Sequence, residues 1–145
     1  MAEFLDHTRV RFHEADPAGI VFFARVFRYA HDAYEAWLRS IGLPLDLPIE
    51  DRGYALPLAH AEADFRAPMR VGDELALSLV PVAIGRTSYT IAVRIALAGS
   101  EAPEEERLRA TVRTVHVCID PSTGRPRELP IPLRKALEEA LPPAT

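Results

Sequence analysis

Between Phe22 and Ile41 apolar residues recur at spacings of three and four, and this run constrains the fold more than any other part of the chain. Phe23, Val26, Phe27, Ala30, Ala33, Tyr34, Trp37, Leu38 and Ile41 share one face, with Arg25, Arg28, Asp32, Glu35 and Arg39 interleaved. That period predicts a helix of about twenty residues, roughly 30 Å long, with a wide apolar stripe. Gly42 and Pro44 end it. A stripe so wide needs another surface to cover it, and only the segments that follow can supply one.

Those segments change to a period of two. From Leu58 to Ala67, His60, Glu62, Asp64 and Arg66 alternate with Ala59, Ala61, Ala63, Phe65 and Ala67, which predicts a strand with one face buried against small residues. Glu74 to Ile84 starts with Leu75, Leu77 and Leu79 inward, then changes parity to Val80, Val82 and Ile84 around Pro81, as at a bulge or sheet edge. Thr87 to Ala98 places Tyr89, Ile91, Val93, Ile95 and Leu97 inward, and Leu108 to Ile119 forms a fourth long strand. A short strand from His7 to Phe12 precedes the helix, a helix of about ten residues closes the chain at Pro132 to Leu141, and Gly99 to Glu106 reads as an acidic hairpin loop. The expectation is a single α+β domain over residues 1–145, with antiparallel strands packed on one long helix.

Composition fits this plan. A chain of 145 residues with 48% apolar and 26% charged side chains can build a core without disulfides or metal. The one cysteine, Cys118, points to a reducing compartment and reads as a small core residue. A net charge of −4 argues against a nucleic-acid partner. The N-terminus has no signal-peptide pattern, and the most apolar stretch, Leu75 to Ile84, is too short for a bilayer, so a cytoplasmic protein with no membrane partner is expected.

Few residues here carry chemistry. The five histidines form no metal-ligand spacing, and there is no nucleophile elbow or glycine-rich phosphate loop. His116, inside an apolar strand, reads as a structural residue. The segment that stands out is Arg11 to Phe23, between the first strand and the helix. Asp16 there has two readings: it satisfies local backbone N–H groups in an Asp-Pro/Ala-Gly turn, or it is a carboxylate facing the free N–H groups of a helix start, where an oxyanion is stabilised. Glu62 with Asp64 reads first as a solvated face and second as an alternative acid pair, and Glu35 among Arg28, Asp32 and Arg39 reads as part of an ion-paired polar stripe.

Asp16 to Phe23, DPAGIVFF, with the aromatic helix after it, resembles the signature of the 4-hydroxybenzoyl-CoA thioesterase type of hotdog proteins. The segments His31 to Leu38 (HDAYEAWL), Ala55 to Ala61 (ALPLAHA), Asp64 to Pro68 (DFRAP), Gly72-Asp73 and Val115 to Ile119 (VHVCI) look more closely like the 1,4-dihydroxy-2-naphthoyl-CoA thioesterase branch. The resemblance spans about Val10 to Asp120.

The resemblance implies a hotdog fold, a homodimer often paired into a homotetramer, and active sites at the subunit interface. It makes Asp16 the catalytic carboxylate, as nucleophile or general base, and the Phe23 backbone N–H the oxyanion donor. Gly19, Val21, Phe22, Val26 and Phe27, with Leu56, Pro57, Leu58 and His60 from the strand that approaches a neighbouring subunit, become acyl-pocket candidates. Leu56 stands where one hydroxybenzoyl lineage has a hydroxyl-bearing residue, which implies a less polar acyl group. Arg86, Thr87 and Ser88 are candidates for the CoA phosphates and pantetheine arm, and Arg125 and Arg127 for the nucleotide phosphates. No cofactor is expected beyond the CoA of an acyl-CoA substrate. Alternatives in this fold are hydration chemistry through His13 or His60, an acyl-carrier-protein or short-chain acyl-CoA substrate, and a catalytically silent acyl-CoA binder.

Overall fold

The computed structural model describes residues 4–143. Five antiparallel strands form one sheet: β1 (Phe4–Arg9), β2 (Leu58–Phe65), β3 (Glu74–Ile84), β4 (Ser88–Leu97) and β5 (Leu108–Val117). Their spatial order is β1-β3-β4-β5-β2. β3, β4 and β5 are a meander, and β1 and β2 are added at its two outer edges. The long helix α1 (Arg25–Ser40) packs across the inner face, and three shorter helices complete the chain: α2 (Ile49–Arg52), α3 (Glu104–Arg107) and α4 (Ile131–Ala140). This is the hotdog arrangement implied by the resemblance. No helix among the described residues is long and apolar enough to cross a membrane.

The core forms where the two periods meet. Val26, Tyr29, Ala30, Ala33, Tyr34, Trp37 and Leu38 of α1 are buried against Leu75, Leu77, Leu79, Ile91, Val93, Ile95 and Val112 of the sheet. Leu133 and Leu137 of α4 and the thiol-bearing Cys118 are fully buried in the same cluster. At about 1.5–3 kcal/mol for each large side chain removed from water, this contact is the main source of stability.

Several boundaries differ from the expectation. α1 starts at Arg25 rather than Phe22, because Phe23 and Ala24 form a turn in which Arg25 N–H bonds the Phe22 carbonyl. β1 ends at Arg9, and Phe12–Glu14 forms one 3-10 turn. α3 is a helical turn within the acidic loop. The expected bulge of β3 is present between Pro81 and Ala83, but Pro81 keeps the inward place and Val82 is exposed. Among the described residues β1 pairs with β3 only up to Leu79, and Pro81, which lacks an N–H, lies beyond that paired stretch.

β2 departs furthest. Its parity is as expected from Ala61 onward, but neither face is covered, with Leu58 at 53% and Phe65 at 49% exposure. α1 reaches only lightly over this edge strand. A groove therefore runs between the helix and the inner face of β2.

Candidate active site

The Asp16 turn is built by the chain on either side of it. Ala15 and Val21 form an antiparallel bridge, and Asp16 N–H bonds the Ile20 carbonyl at 2.8 Å. Gly19, at φ 78°, donates to the Asp16 carbonyl at 2.9 Å, a left-handed position that suits glycine. Asp16 Oδ1 accepts the N–H groups of Ala18 at 2.9 Å and Ile20 at 3.1 Å. Its other oxygen has no protein partner among the described residues, and the side chain is half-buried. One oxygen thus holds the turn, and the other remains available. The turn is tied down by Val21 N–H on the Met69 carbonyl and Val71 N–H on the Gly19 carbonyl.

Immediately downstream, Phe22 N–H bonds the Glu14 carbonyl at 3.0 Å, and the next N–H, of Phe23, donates to no protein acceptor among the described residues. Phe22 and Phe23 are 49% and 61% exposed with ring centroids 4.9 Å apart, so they stand free of this chain's own core. Val26 is fully buried in the core, and Val21 is buried at its margin.

Glu14 holds the turn to the helix and was not singled out by sequence. Its side chain is fully buried; Oε1 accepts Arg11 N–H and the Tyr29 hydroxyl, each at 2.8 Å, and Oε2 meets Arg28 Nη1 at 2.9 Å. Burial alone raises its pKa, but the Arg11 N–H, the Tyr29 hydroxyl and the Arg28 charge together hold it below the ordinary carboxylate value. The available signal was the spacing, since Arg28 and Tyr29 lie one helical turn past Arg25. Glu14 itself looked like any polar turn residue.

The groove beside α1 deepens into a mostly apolar cleft, lined by Phe27, Ala30, His31 and Tyr34 of the helix and Leu58, Ala61, Thr114 and His116 of the sheet. Ile20, Val21, Phe23, Phe65 and Met69 line a more open recess next to the Asp16 turn. His116 is buried and stacks on Tyr34 (centroids 4.3 Å) and Tyr89 (5.4 Å), whose hydroxyls bond each other. Burial pushes its pKa down to about 4, so the ring is neutral at pH 7.

The other candidates lie apart from Asp16. Leu56, Pro57 and Leu58 are at the far end of β2 from Phe65, about 25 Å along an eight-residue strand. Arg86, Thr87 and Ser88 share that end, since Ser88 pairs with Val117, which in turn bonds the Pro57 carbonyl. Arg125 is exposed, Arg127 donates to the Gly53 carbonyl at 2.8 Å, and Arg86 meets Glu128 at 3.3 Å. His60 is on the outer face of β2, bonded to Glu62 at 3.1 Å, and does not line the cleft of its own chain. Glu62 and Asp64 share that exposed face.

A sheet wrapped on one helix, with a carboxylate turn ahead of that helix, defines a class: a family model for the thioesterase-like superfamily matches residues 10–141, and the chain belongs to it. Similarity is close to 1,4-dihydroxy-2-naphthoyl-CoA hydrolases of Nostoc punctiforme (37% identity, 93% of this chain and 86% of that one) and Synechococcus elongatus (32%, 95% and 97%). The crystal structure of a 1,4-dihydroxy-2-naphthoyl-CoA thioesterase from Synechocystis superposes with a TM-score of 0.83 at 34% identity, over 94% of this chain and 96% of that one. The protein is an enzyme of this class, a thioester hydrolase.

Proposed function

We propose that the protein hydrolyses an aromatic acyl-CoA of the 1,4-dihydroxy-2-naphthoyl-CoA type to the free acid and CoA. Asp16 is the catalytic carboxylate, and the Phe23 N–H stabilises the oxyanion. The observation that carries this reading is the Asp16 turn, in which one carboxylate oxygen is spent on the turn, while the other oxygen and the Phe23 N–H have no partner among the described residues. A thioester carbonyl polarised by that N–H is open either to attack by the free Asp16 oxygen or to water deprotonated by it. In the first route the C–S bond breaks, CoA thiolate leaves, and water then cleaves the Asp16 mixed anhydride; in the second water adds directly and CoA thiolate leaves. Both end in carboxylic acid and CoA thiol, and neither calls on a cofactor.

The acyl group would lie along α1 in the cleft from Phe27 to Tyr34, whose apolar lining supports an aromatic rather than a charged group. The same proposal includes a second copy. Among the described residues β2 is an edge strand with its outer hydrogen-bonding row unpaired and both faces largely exposed. Two-fold antiparallel pairing along it would bring the Leu56–Leu58 end of one copy, with Arg86 and Arg125, toward the Phe65 end and Asp16 turn of the other. CoA phosphates would then meet arginines across the interface, in a homodimer able to pair further into a tetramer.

Free-thiol release over a panel of dihydroxynaphthoyl-, benzoyl-, hydroxybenzoyl-, phenylacetyl- and short-chain acyl-CoA tests the reading. The expected result is turnover of dihydroxynaphthoyl-CoA at least about ten times above any aliphatic substrate. A preference for the short-chain thioesters would overturn it.

A further inference from the structure

The apolar cleft along α1 has one polar feature in its sheet wall, and its polarity is fixed by atoms behind it. Thr114 of β5 pairs with Ala61 and with buried Ile91, so its side chain shares their inner face and lines the cleft. Two residues on, His116 lies 3.4 Å through Nδ1 from the Leu56 carbonyl and 3.1 Å through Nε2 from Thr114 Oγ1. A carbonyl oxygen only accepts, so Nδ1 carries the proton, and the neutral ring leaves Nε2 as an acceptor. Thr114 must then donate its hydroxyl proton to His116. What remains toward the cleft is the Thr114 oxygen with free lone pairs, an acceptor without a donor. Tyr34 and Tyr89 share one hydrogen bond between their hydroxyls, His31 is exposed on the helix side of the cleft, and Phe27, Ala30, Leu58 and Ala61 offer only carbon side chains.

We propose that Thr114 is the specificity-determining residue of the acyl pocket, accepting a hydrogen bond from a ring hydroxyl remote from the thioester, with Leu56 and His116 setting its polarity from behind. This rests on the aromatic acyl-CoA reading above and adds to it the atom that distinguishes a hydroxylated ring from its unhydroxylated analogue. The distance along α1 suits the assignment. Phe27, the first helix residue of the cleft, lies four residues or about 6 Å beyond Phe23, where the thioester carbonyl would sit. The 4-hydroxyl is on the thioester-bearing ring, about 5 Å from the carbonyl carbon, so a hydrogen bond of about 3 Å from it ends within the cleft that Thr114 lines. A group that can only accept, such as a carboxylate or ketone at the same ring position, would face lone pair against lone pair and be rejected.

The test compares wild type, Thr114→Val and Thr114→Ser on 1,4-dihydroxy-2-naphthoyl-CoA and on 1-hydroxy-2-naphthoyl-CoA, which lacks the remote hydroxyl. Binding of the two free acids is measured in parallel, because it needs no turnover. Wild type should favour the dihydroxy compound by about 10- to 100-fold in kcat/KM and in affinity. Thr114→Val, near-isosteric but without the hydroxyl, should bring the two compounds within about threefold of each other by losing only on the dihydroxy one, and Thr114→Ser should restore the preference. Equal handling of both compounds by wild type, or a preference that survives in Thr114→Val, overturns the proposal. If neither thioester is hydrolysed but Thr114-dependent discrimination persists in binding of the acids, the hydrolytic reading fails and the recognition role stands.

Discussion

His116 shows how burial converts one side chain from a charge carrier into a fixed polar template. Removal from water dominates its low pKa, the Leu56 carbonyl partly opposes that, and His31 adds to it. The unfolded chain binds a proton at this histidine near 6.5, and the folded chain only near 4. Between those values the unfolded state holds more protons, so stability is complete above about pH 6.5 and falls as pH drops toward 4, by up to about 3 kcal/mol. Urea unfolding at pH 7, 6 and 5 should show this slope, and a His116→Gln variant should lose it. An equally steep slope in the variant would assign the effect elsewhere. In sequence His116 read only as a structural residue in an apolar strand, and that is half of its position. The stacking on Tyr34 and Tyr89 joins His116 to residues 82 and 27 positions away along the chain, which no local pattern records.

Among the elements, the junction of the Asp16 turn with α1 depends on Glu14, which binds the 3-10 turn, the helix and the chain entering Phe22 at once. Its carboxyl is held below 4.5, so the stabilisation is present above that value and is lost as pH falls through the lower, folded one. Arg28 is half-exposed, which limits the ion pair itself; the charge-assisted bonds to Arg11 N–H and Tyr29 contribute more. Glu14→Gln should therefore lower unfolding free energy by about 1–2 kcal/mol at pH 7 and remove part of the acid limb below pH 4.5. Thermal melts at pH 7 and pH 4 check both, and an unchanged melting temperature at pH 7 would contradict this role. The helix and β3 to β5 were legible in the sequence because their residues touch one another at the period of their own element. The helix start was less so: Phe22 and Phe23 continue the apolar stripe, yet they serve the groove rather than the core. Asp16 was legible only as a choice between turn residue and catalyst. The geometry accommodates both roles, one on each oxygen.

For the whole molecule, β2 is where a sequence read as one chain misleads. Its alternation of alanines with charged residues has the right parity for a half-buried strand, but its inner face meets the open groove and its outer edge has no strand partner among the described residues. An uncovered edge strand next to a groove that exposes Phe22, Phe23, Leu58 and Phe65 is a surface that a second copy would cover. Analytical ultracentrifugation at micromolar concentration should give a dimer or tetramer with no monomer, whereas a stable monomer would leave Leu56–Leu58 and Arg86 too far from Asp16 to take part in its chemistry. The distribution of site residues between the two ends of β2 was hidden in the sequence for the same reason, since strand register, not sequence spacing, decides which residues are neighbours. Everything in the functional account converges on the free oxygen of Asp16. The most direct measurement is thiol release from dihydroxynaphthoyl-CoA by wild type and Asp16→Asn side by side, with circular dichroism to verify the fold. Asparagine keeps an oxygen for the Ala18 and Ile20 N–H groups, so the turn should persist while turnover falls by about three or more powers of ten. Near-normal turnover in a folded Asp16→Asn protein would contradict the account and leave Asp16 a turn residue alone.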